Sequence, residues 1–514
     1  MTRTCRTLCT ICAVAAFNPL RAQFGAPAAS GQMPRAQQLP ISGRAASGAV
    51  VPVQAPAGAG GPTSVNTVNS SIQVQGAYQG STANGSVSSQ PLVLTLQDAI
   101  RRGLQYNLGA IGSANVASVT RAERLAAVAQ MLPDIFGDAR ESIQKINLAA
   151  AGFRISAPIP GFAFPTVIGP FNNFDARANV NESISITSLR NWKSSREIAH
   201  SADLSVQDSR ELVALAVAGT YLQITASAAR IQTAKAELDT AMAVYQQAVD
   251  RNKSGLNARI DVNRSLVELQ SQQQRLTSLN NEYEKQKIAL DRLIGLPMAQ
   301  AFTLADDVPY RESPVPNADD LIQRAFGSRA DVLAAAAQQK AAELAKGAAV
   351  AEVLPSLDLH ADYGVLGVTP SNQAHATYTA AAGITVPIFR SGRNRADIQQ
   401  AEAVLAQRKA EYEDAKGRAE QDVRVALLDL TAASDQVKVA ESNRSLAKDT
   451  LDQARDRFRS GVADTIEVVQ AQESVATAEQ DYISALFAFN LAQVSLARAI
   501  GQTEQGIARL LQGK

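Results

Sequence analysis

Residues 251–266 read RNKSGLNARIDVNRSL and residues 457–472 read RFRSGVADTIEVVQAQ, and the likeness of these two stretches decides the fold. Ser254 and Gly255 align with Ser460 and Gly461, Ile260 with Ile466, and Asp261 with Glu467, all at a constant offset of 206 residues. The alignment runs without a gap to LDRLIGLP at 290–297 and LARAIGQT at 496–503. Positions 262, 269, 276, 283 and 290 are Val, Leu, Leu, Tyr and Leu, and their counterparts 468, 475, 482, 489 and 496 are Val, Val, Tyr, Phe and Leu. An unbroken apolar interval of seven is the seam of a coiled coil and not the broader stripe of a globular helix. The companion series Leu266, Gln273, Asn280, Lys287 and Ile294 is mixed, so one face is committed to packing and its neighbour is partly wet.

A two-fold internal repeat overrides the domain count that 514 residues would otherwise suggest. The net charge of +1, with both signs interspersed, gives no nucleic-acid footprint. Residues 1–22, with Arg3 and Arg6 ahead of an apolar run from Leu8 to Phe17, read as a secretory signal peptide. All three cysteines, Cys5, Cys9 and Cys12, fall inside it, so the remainder has no disulfide or thiolate framework. Cys9 and Cys12 lack the small residues that should precede a lipid-attachment site. No other stretch has the 18 or so unbroken apolar residues of a membrane helix, so a membrane crossing has to be made by a closed sheet.

Residues 23–91 are Ala, Gly, Pro, Ser and Gln with few charges, a composition that predicts a disordered extension with nothing to dock. An Ala-rich helical region then runs from Leu94 to Leu132-Pro133 and recurs from Asp320 to Leu354-Pro355 at an offset of 222 residues. After each Leu-Pro the period drops to two. Phe174, Ala176, Ala178 and Val180 alternate with polar residues, as do Leu357, Leu359, Ala361, Tyr363 and Val365, and again Tyr378, Ala380, Ala382, Ile384 and Val386, with a weaker strand near Ile135 to Ile146. About ten residues at ~3.3 Å, tilted by ~45°, match the ~25 Å apolar band of an outer-membrane barrel. Four strands cannot close a barrel, so two copies (eight strands) or three (twelve) have to share one. The first hairpin carries a long Phe/Pro/Gly-rich loop, about Asn147 to Asn173, expected on the outside of the cell. Each hairpin feeds a long helix through ITSLRNWKSSR or VPIFRSGRNRA, and Trp192, the single tryptophan, marks the first of these strand-to-helix junctions.

With helix pair, Leu-Pro, hairpin, long helix, Ser-Gly turn and returning helix present twice, the chain resembles the outer-membrane efflux protein family, the TolC-like channel-tunnels. The most specific pieces are the two Leu-Pro pairs, Val386-Pro387-Ile388-Phe389 with Gly392, and the Ser-Gly turns followed by Asp261 and Glu467; copy one departs in having Thr187 where copy two has Pro387. The resemblance covers about residues 92–502 and implies repeats at 92–300 (hairpin 134–188, tip 251–260) and 317–502 (hairpin 356–389, tip 457–466), a linker at 301–316 and a tail at 503–514. The expected fold is mainly α with transmembrane β, a homotrimer whose twelve-stranded barrel in outer-membrane lipid continues as an α-barrel through the periplasm. The expected function is a passive exit duct of a tripartite efflux or type I secretion system, coupled through a periplasmic adaptor to an inner-membrane transporter. A periplasm-spanning tether anchored by its strands is the alternative.

Nothing predicts catalysis or a cofactor. His200, His360 and His375 share no motif with an acid or a cysteine, and Met33, Met131, Met242 and Met298 are too scattered for a soft-metal relay. The resemblance places Ser254, Gly255, Leu256, Ser460, Gly461 and Val462 at the periplasmic tip that meets the adaptor, and Trp192, Pro387 and Gly392 at the strand-to-helix junctions. Gly255 and Gly461 also serve as helix C-caps, where positive φ is favoured. Asp261 and Glu467 sit near the starts of the returning helices, where a carboxylate favours the helix dipole. The resemblance puts these acids at the constriction, where three copies of each would select for cations.

Overall fold

A computed structural model of the chain describes residues 35, 37–40, 48–56, 64, 68–148, 150, 165–255, 258–306, 317–370, 373–390, 392–460, 462 and 465–512. The signal peptide, most of the outward loop, Leu256 and Gly461 lie outside them. In chain order the elements are β1 (Val50–Pro56), β2 (Val68–Val74), β3 (Leu92–Leu94), α1 (Leu96–Tyr106), α2 (Leu108–Ala129), β4 (Asp134–Asn147), β5 (Val167–Ile184), α3 (Ile186–Lys253), α4 (Arg259–Ile294), β6 (Phe302–Leu304), α5 (Ala318–Ser328), α6 (Ala330–Ala351), β7 (Ser356–Gly367), β8 (His375–Thr385), α7 (Arg393–Arg459), α8 (Thr465–Ala499) and α9 (Thr503–Gln512). Two compact units contain them.

The first unit comprises residues 123–195 and 342–404 with residues 35 and 37–39. Its centre is a four-stranded antiparallel sheet in the order β4-β5-β7-β8. Both Leu-Pro pairs end a helix in the same way: the Leu132 and Leu354 N–H groups donate to Ala129 and Ala351 three residues back, and the proline then bars continuation. Ile135, Val180, Ala361 and Ala380 form one cross-strand row, and the next row is Phe136, Asn179, Asp362 and Thr379. One face is thus mainly apolar, its polar exceptions Glu141, Asn172 and Glu182, and the other is largely polar and internally bonded. On the polar face Arg177 bridges Asp175 (2.6 Å) and Asp362 (2.9 Å), while Ser183 and Thr385 both donate to Asp358 at 2.7 Å. On the opposite face Ile135, Tyr363, Tyr378 and Ile384 are exposed, the pattern of a sheet with lipid on one side and water on the other.

The two strand-to-helix junctions differ, as Thr187 and Pro387 foreshadowed. In copy one α3 begins two residues after β5, and Thr187 is buried in its first turn. In copy two Pro387 disfavours helix at Val386, residues 386–390 belong to no helix or strand, and the onset of α7 follows Gly392 at φ +78°.

The second unit comprises residues 40–122, 196–341 and 405–514. Its long helices carry buried apolar residues at intervals of seven: Val217, Ile224 and Ile231 of α3, Val423, Leu430, Val437, Leu451 and Phe458 of α7, and Val468 and Phe489 of α8 are all buried. A second buried series lies three residues on from the large ones. Its members are small: Ala234, Ala241 and Ala248 in α3, Ala426, Ala433, Ala440 and Ala454 in α7, and Ala471, Ala478, Ala485, Ala492 and Ala499 in α8. Large residues alternating with alanine let antiparallel helices interlock at close range. In α4 the same places hold Ser265 and Gln272, buried polar residues within the seam. One helix, α3, has a stretch apolar enough by length and composition to cross a membrane; 67% of that stretch is buried inside the protein, so its apolarity is explained by the core.

Two equivalent breaks organise the copies. Asn107, between α1 and α2, is fully buried and donates to the carbonyls of Tyr78 (2.8 Å) and Leu293 (3.2 Å). At the corresponding place Arg329, between α5 and α6, binds Asp331 and Asp422 at 2.8 Å and reaches the Ala499 carbonyl. Each therefore ties a helix break to the end of its own returning helix, where Gly295 (φ +71°) and Gly501 (φ +68°) terminate α4 and α8.

Three expectations change. Residues 48–56 and 68–91 are not a free extension: β1 and β2 pair antiparallel, Ile72 packs where a Cβ on Gly219 would clash, and Tyr78 is 2% exposed. The Thr82 and Asn84 N–H groups bond the carbonyls of Tyr106 (2.9 Å) and Gly295 (3.0 Å). Composition alone predicts too little apolar area to order this segment, but these residues dock on the helices of the bundle, so the ordering entropy is offset by tertiary contacts. The 301–316 linker contributes β6, which pairs parallel with β3, and the tail forms α9 with Ile507 buried.

Candidate functional site

The Ser-Gly turns close the far ends of the two long helical hairpins. Ser254 donates to the Asp250 carbonyl from both N–H (3.1 Å) and Oγ (3.0 Å), and Ser460 does the same to Asp456 at 3.0 and 2.8 Å. These bonds complete the last helical turn, and at the first tip the chain then leaves the helix at Gly255, whose N–H closes on the Asn252 carbonyl at 3.0 Å. Gly255 sits at φ +75° with open space where a Cβ would project, so a side chain there meets no neighbour and the constraint is purely conformational. At the second tip the Val462 N–H closes on the Arg457 carbonyl at 3.0 Å, and the Val462 side chain is exposed.

Asp261 and Glu467 both fall in the first turn of a returning helix, as expected. Neither is isolated. Asp261 is 3.7 Å from Arg264, and Glu467 is 3.0 Å from Arg457 Nε across the turn. Arg251, the counterpart of Arg457, instead stacks over the Phe458 ring at 4.2 Å and donates to the Phe458 carbonyl at 3.3 Å. One arginine position thus makes two contacts: in copy two it holds an acid of its own turn, and in copy one it joins the two tips. Both arginines were in the stretches that reveal the repeat, but reading for glycines and acids passed over them. Arg251, Lys253, Arg457 and Arg459 all occupy last helical turns, where cations complement the helix dipole.

Back from the tips, a cavity of about 240 Å³ between α3, α4, α7 and α8 is lined by Glu237, Glu268, Gln272, Lys448, Gln472 and Glu479. Burial raises the Glu237 carboxyl above its ordinary range, opposed by Arg275 at 3.3 Å. At the opposite end of the bundle Arg498 of α8 holds Asp208 and Glu211 of α3, and burial pushes Glu211 up to about 7. Among the described residues no cluster of His, Cys, Asp and Glu has the geometry of a metal site. Trp192 is half-buried in the first turns of α3, and Pro387 and Gly392 lie between β8 and the start of α7.

The family model "Outer membrane efflux protein" matches residues 113–296 and 321–502, its two segments following the two copies. The pyoverdine export outer membrane protein OpmQ of Pseudomonas putida is 29% identical over 341 residues, covering 64% of this chain and 70% of that protein. The cation efflux system protein CusC of Escherichia coli is 24% identical over 296 residues, 55% of this chain and 63% of the relative. The solved outer-membrane channel OprN superposes with a TM-score of 0.67 at 18% identity, over 79% of this chain and 90% of that one. With a match across most of its length and both copies accounted for, the chain belongs to the outer membrane efflux protein family, a family of outer-membrane efflux channels and not of enzymes.

Proposed function

We propose that the chain works as a homotrimeric exit duct of a tripartite efflux or type I secretion system. Three copies would supply a twelve-stranded barrel, and the tips at Ser254-Gly255 and Ser460-Gly461 would meet a periplasmic adaptor that couples the duct to an inner-membrane transporter. The observation that carries this reading is the sheet: four strands with one apolar and one polar face and an unpaired edge at each end, β4 and β8, which cannot be stable in lipid until copies close it. The polar, mutually bonded face suits a water-filled lumen, and the first-turn acids Asp261 and Glu467 suit an aperture that favours cations. Relatives are named for pyoverdine export and for cation efflux, and a wide polar duct is compatible with either cargo. The test is native mass measurement of the detergent-solubilised protein together with conductance in planar bilayers. Trimers that conduct are expected; a non-conducting protein is a tether, and a monomer or dimer as the sole species ends the twelve-strand reading.

A further inference from the structure

Between β8 and α7, Ile388 and Phe389 are 95% and 84% exposed, far more than ordinary surface apolar side chains. They are held there. Pro387 fixes its own φ and keeps Val386 extended, while Arg390 beyond them pairs with Glu352 at 3.1 Å, a carboxylate only 2% exposed. A pair of apolar side chains pinned on both sides in an exposed position has the form of a preorganised contact.

Residues of both repeats build a hollow beside the first junction. Ile186 and Leu189 at the start of α3, with Met131, Ile184, Leu357 and Ile384, line a cavity of about 570 Å³. Ile184, Leu357 and Ile384 are one cross-strand row, so the cavity opens at the foot of the apolar face. All neighbouring strands are antiparallel, so β4 and β8 run in opposite directions. When β8 of one copy pairs with β4 of the next, the residues leaving β8 come to lie beside those preceding β4, and Met131 is a wall of the cavity.

We propose that Ile388 and Phe389 of one subunit fill this cavity of the next subunit, a projection from the second junction entering a hollow beside the first. The contact is head-to-tail, so each subunit gives one projection and receives one, as a closed ring requires. It explains why the two junctions diverge while the rest of the repeat is shared. A lipid acyl chain is the less suitable occupant, because Glu182 also lines the cavity and a carboxylate is disfavoured in hydrocarbon. The proposal rests on the oligomeric-barrel reading.

The test is a paired-cysteine cross-link in the full chain with Cys5, Cys9 and Cys12 replaced, these being its only cysteines. Met131→Cys with Phe389→Cys, treated with a short bis-maleimide, is expected to give covalent dimers and trimers, and either cysteine alone only monomers. Native mass is measured on the same samples before cross-linking. Trimers that fail to cross-link overturn the proposal and leave the barrel reading standing; absence of oligomers overturns both. A Phe389→Trp, Trp192→Phe variant in vesicles of brominated phospholipid supplies the second arm: unquenched fluorescence supports burial against protein, and strong quenching assigns the cavity to acyl chains and overturns the proposal.

Discussion

Asp291, in the last turn of α4, is 3% exposed, and its Oδ1 has no hydrogen-bond partner. Burial lifts its carboxyl from an ordinary 3.8 to about 7, with Lys287 one turn back opposing the shift and Glu284 adding to it. The perturbation is Asp291→Asn, nearly isosteric and neutral at every pH. A shift of about three pH units corresponds to about 4 kcal/mol if fully realised. Lys287 also pairs with Glu284 at 3.3 Å, and local relaxation lets some water reach the carboxylate, so the realised gain is set at about 1–2 kcal/mol. The sign follows from proton counting. Between about pH 4 and 7 the folded chain keeps a proton that the unfolded chain has released, so wild-type stability falls through that window and is level above it. The Asp291→Asn variant lacks this loss. Thermal unfolding followed by circular dichroism at 222 nm should therefore give matching midpoints at pH 4.5 and a midpoint higher by about 1–2 °C for the variant at pH 8. An equal offset at both pH values, or a lower midpoint at pH 8, would falsify the assignment of this carboxylate as a buried and poorly compensated charge.

Three further outcomes are expected. Glu467→Gln should lower cation preference in planar bilayers, with Asp261→Asn giving a smaller shift and the double variant the largest; a reversal potential unchanged in the double variant removes both acids from the aperture. Gly255→Val costs about 1–2 kcal/mol at a left-handed position with no neighbour to clash, so export should fall while trimers persist, and normal export would leave that turn with no role beyond reversing the chain. Tyr78→Ala empties a site that is 2% exposed and should destabilise the protein by about 3–4 kcal/mol, against almost nothing if the segment before α1 were a free extension; equal urea midpoints for variant and wild type would restore the disordered reading.

The sequence by itself determined every feature whose signal is periodic or repeated. The interval of seven named the long helices, the interval of two named the strands, and the 206-residue offset matched Ser254-Gly255 to Ser460-Gly461 and Asp261 to Glu467. These patterns are legible because each element has to carry its own buried face, whatever it packs against. Tertiary structure alone decided which residues meet across elements. The alanine ladders of α3, α7 and α8 are as periodic as the large seam, yet alanine counts equally as helix former and as surface filler until a partner helix is seen against it. Arg251 and Arg457 occupy one repeat position, but Phe458 stands where copy one has Asn252, and only the packed tips show that one arginine stacks while the other binds an acid. Asn107 and Arg329 share no chemistry that alignment would pair; their common task exists only because each break lies against the end of its own returning helix. The docking of the segment before α1 is illegible for the same reason: Ile72 packs at Gly219 of α3, and Tyr78 meets Ser209 of α3 and Gly109 of α2, partners that its own composition does not reveal.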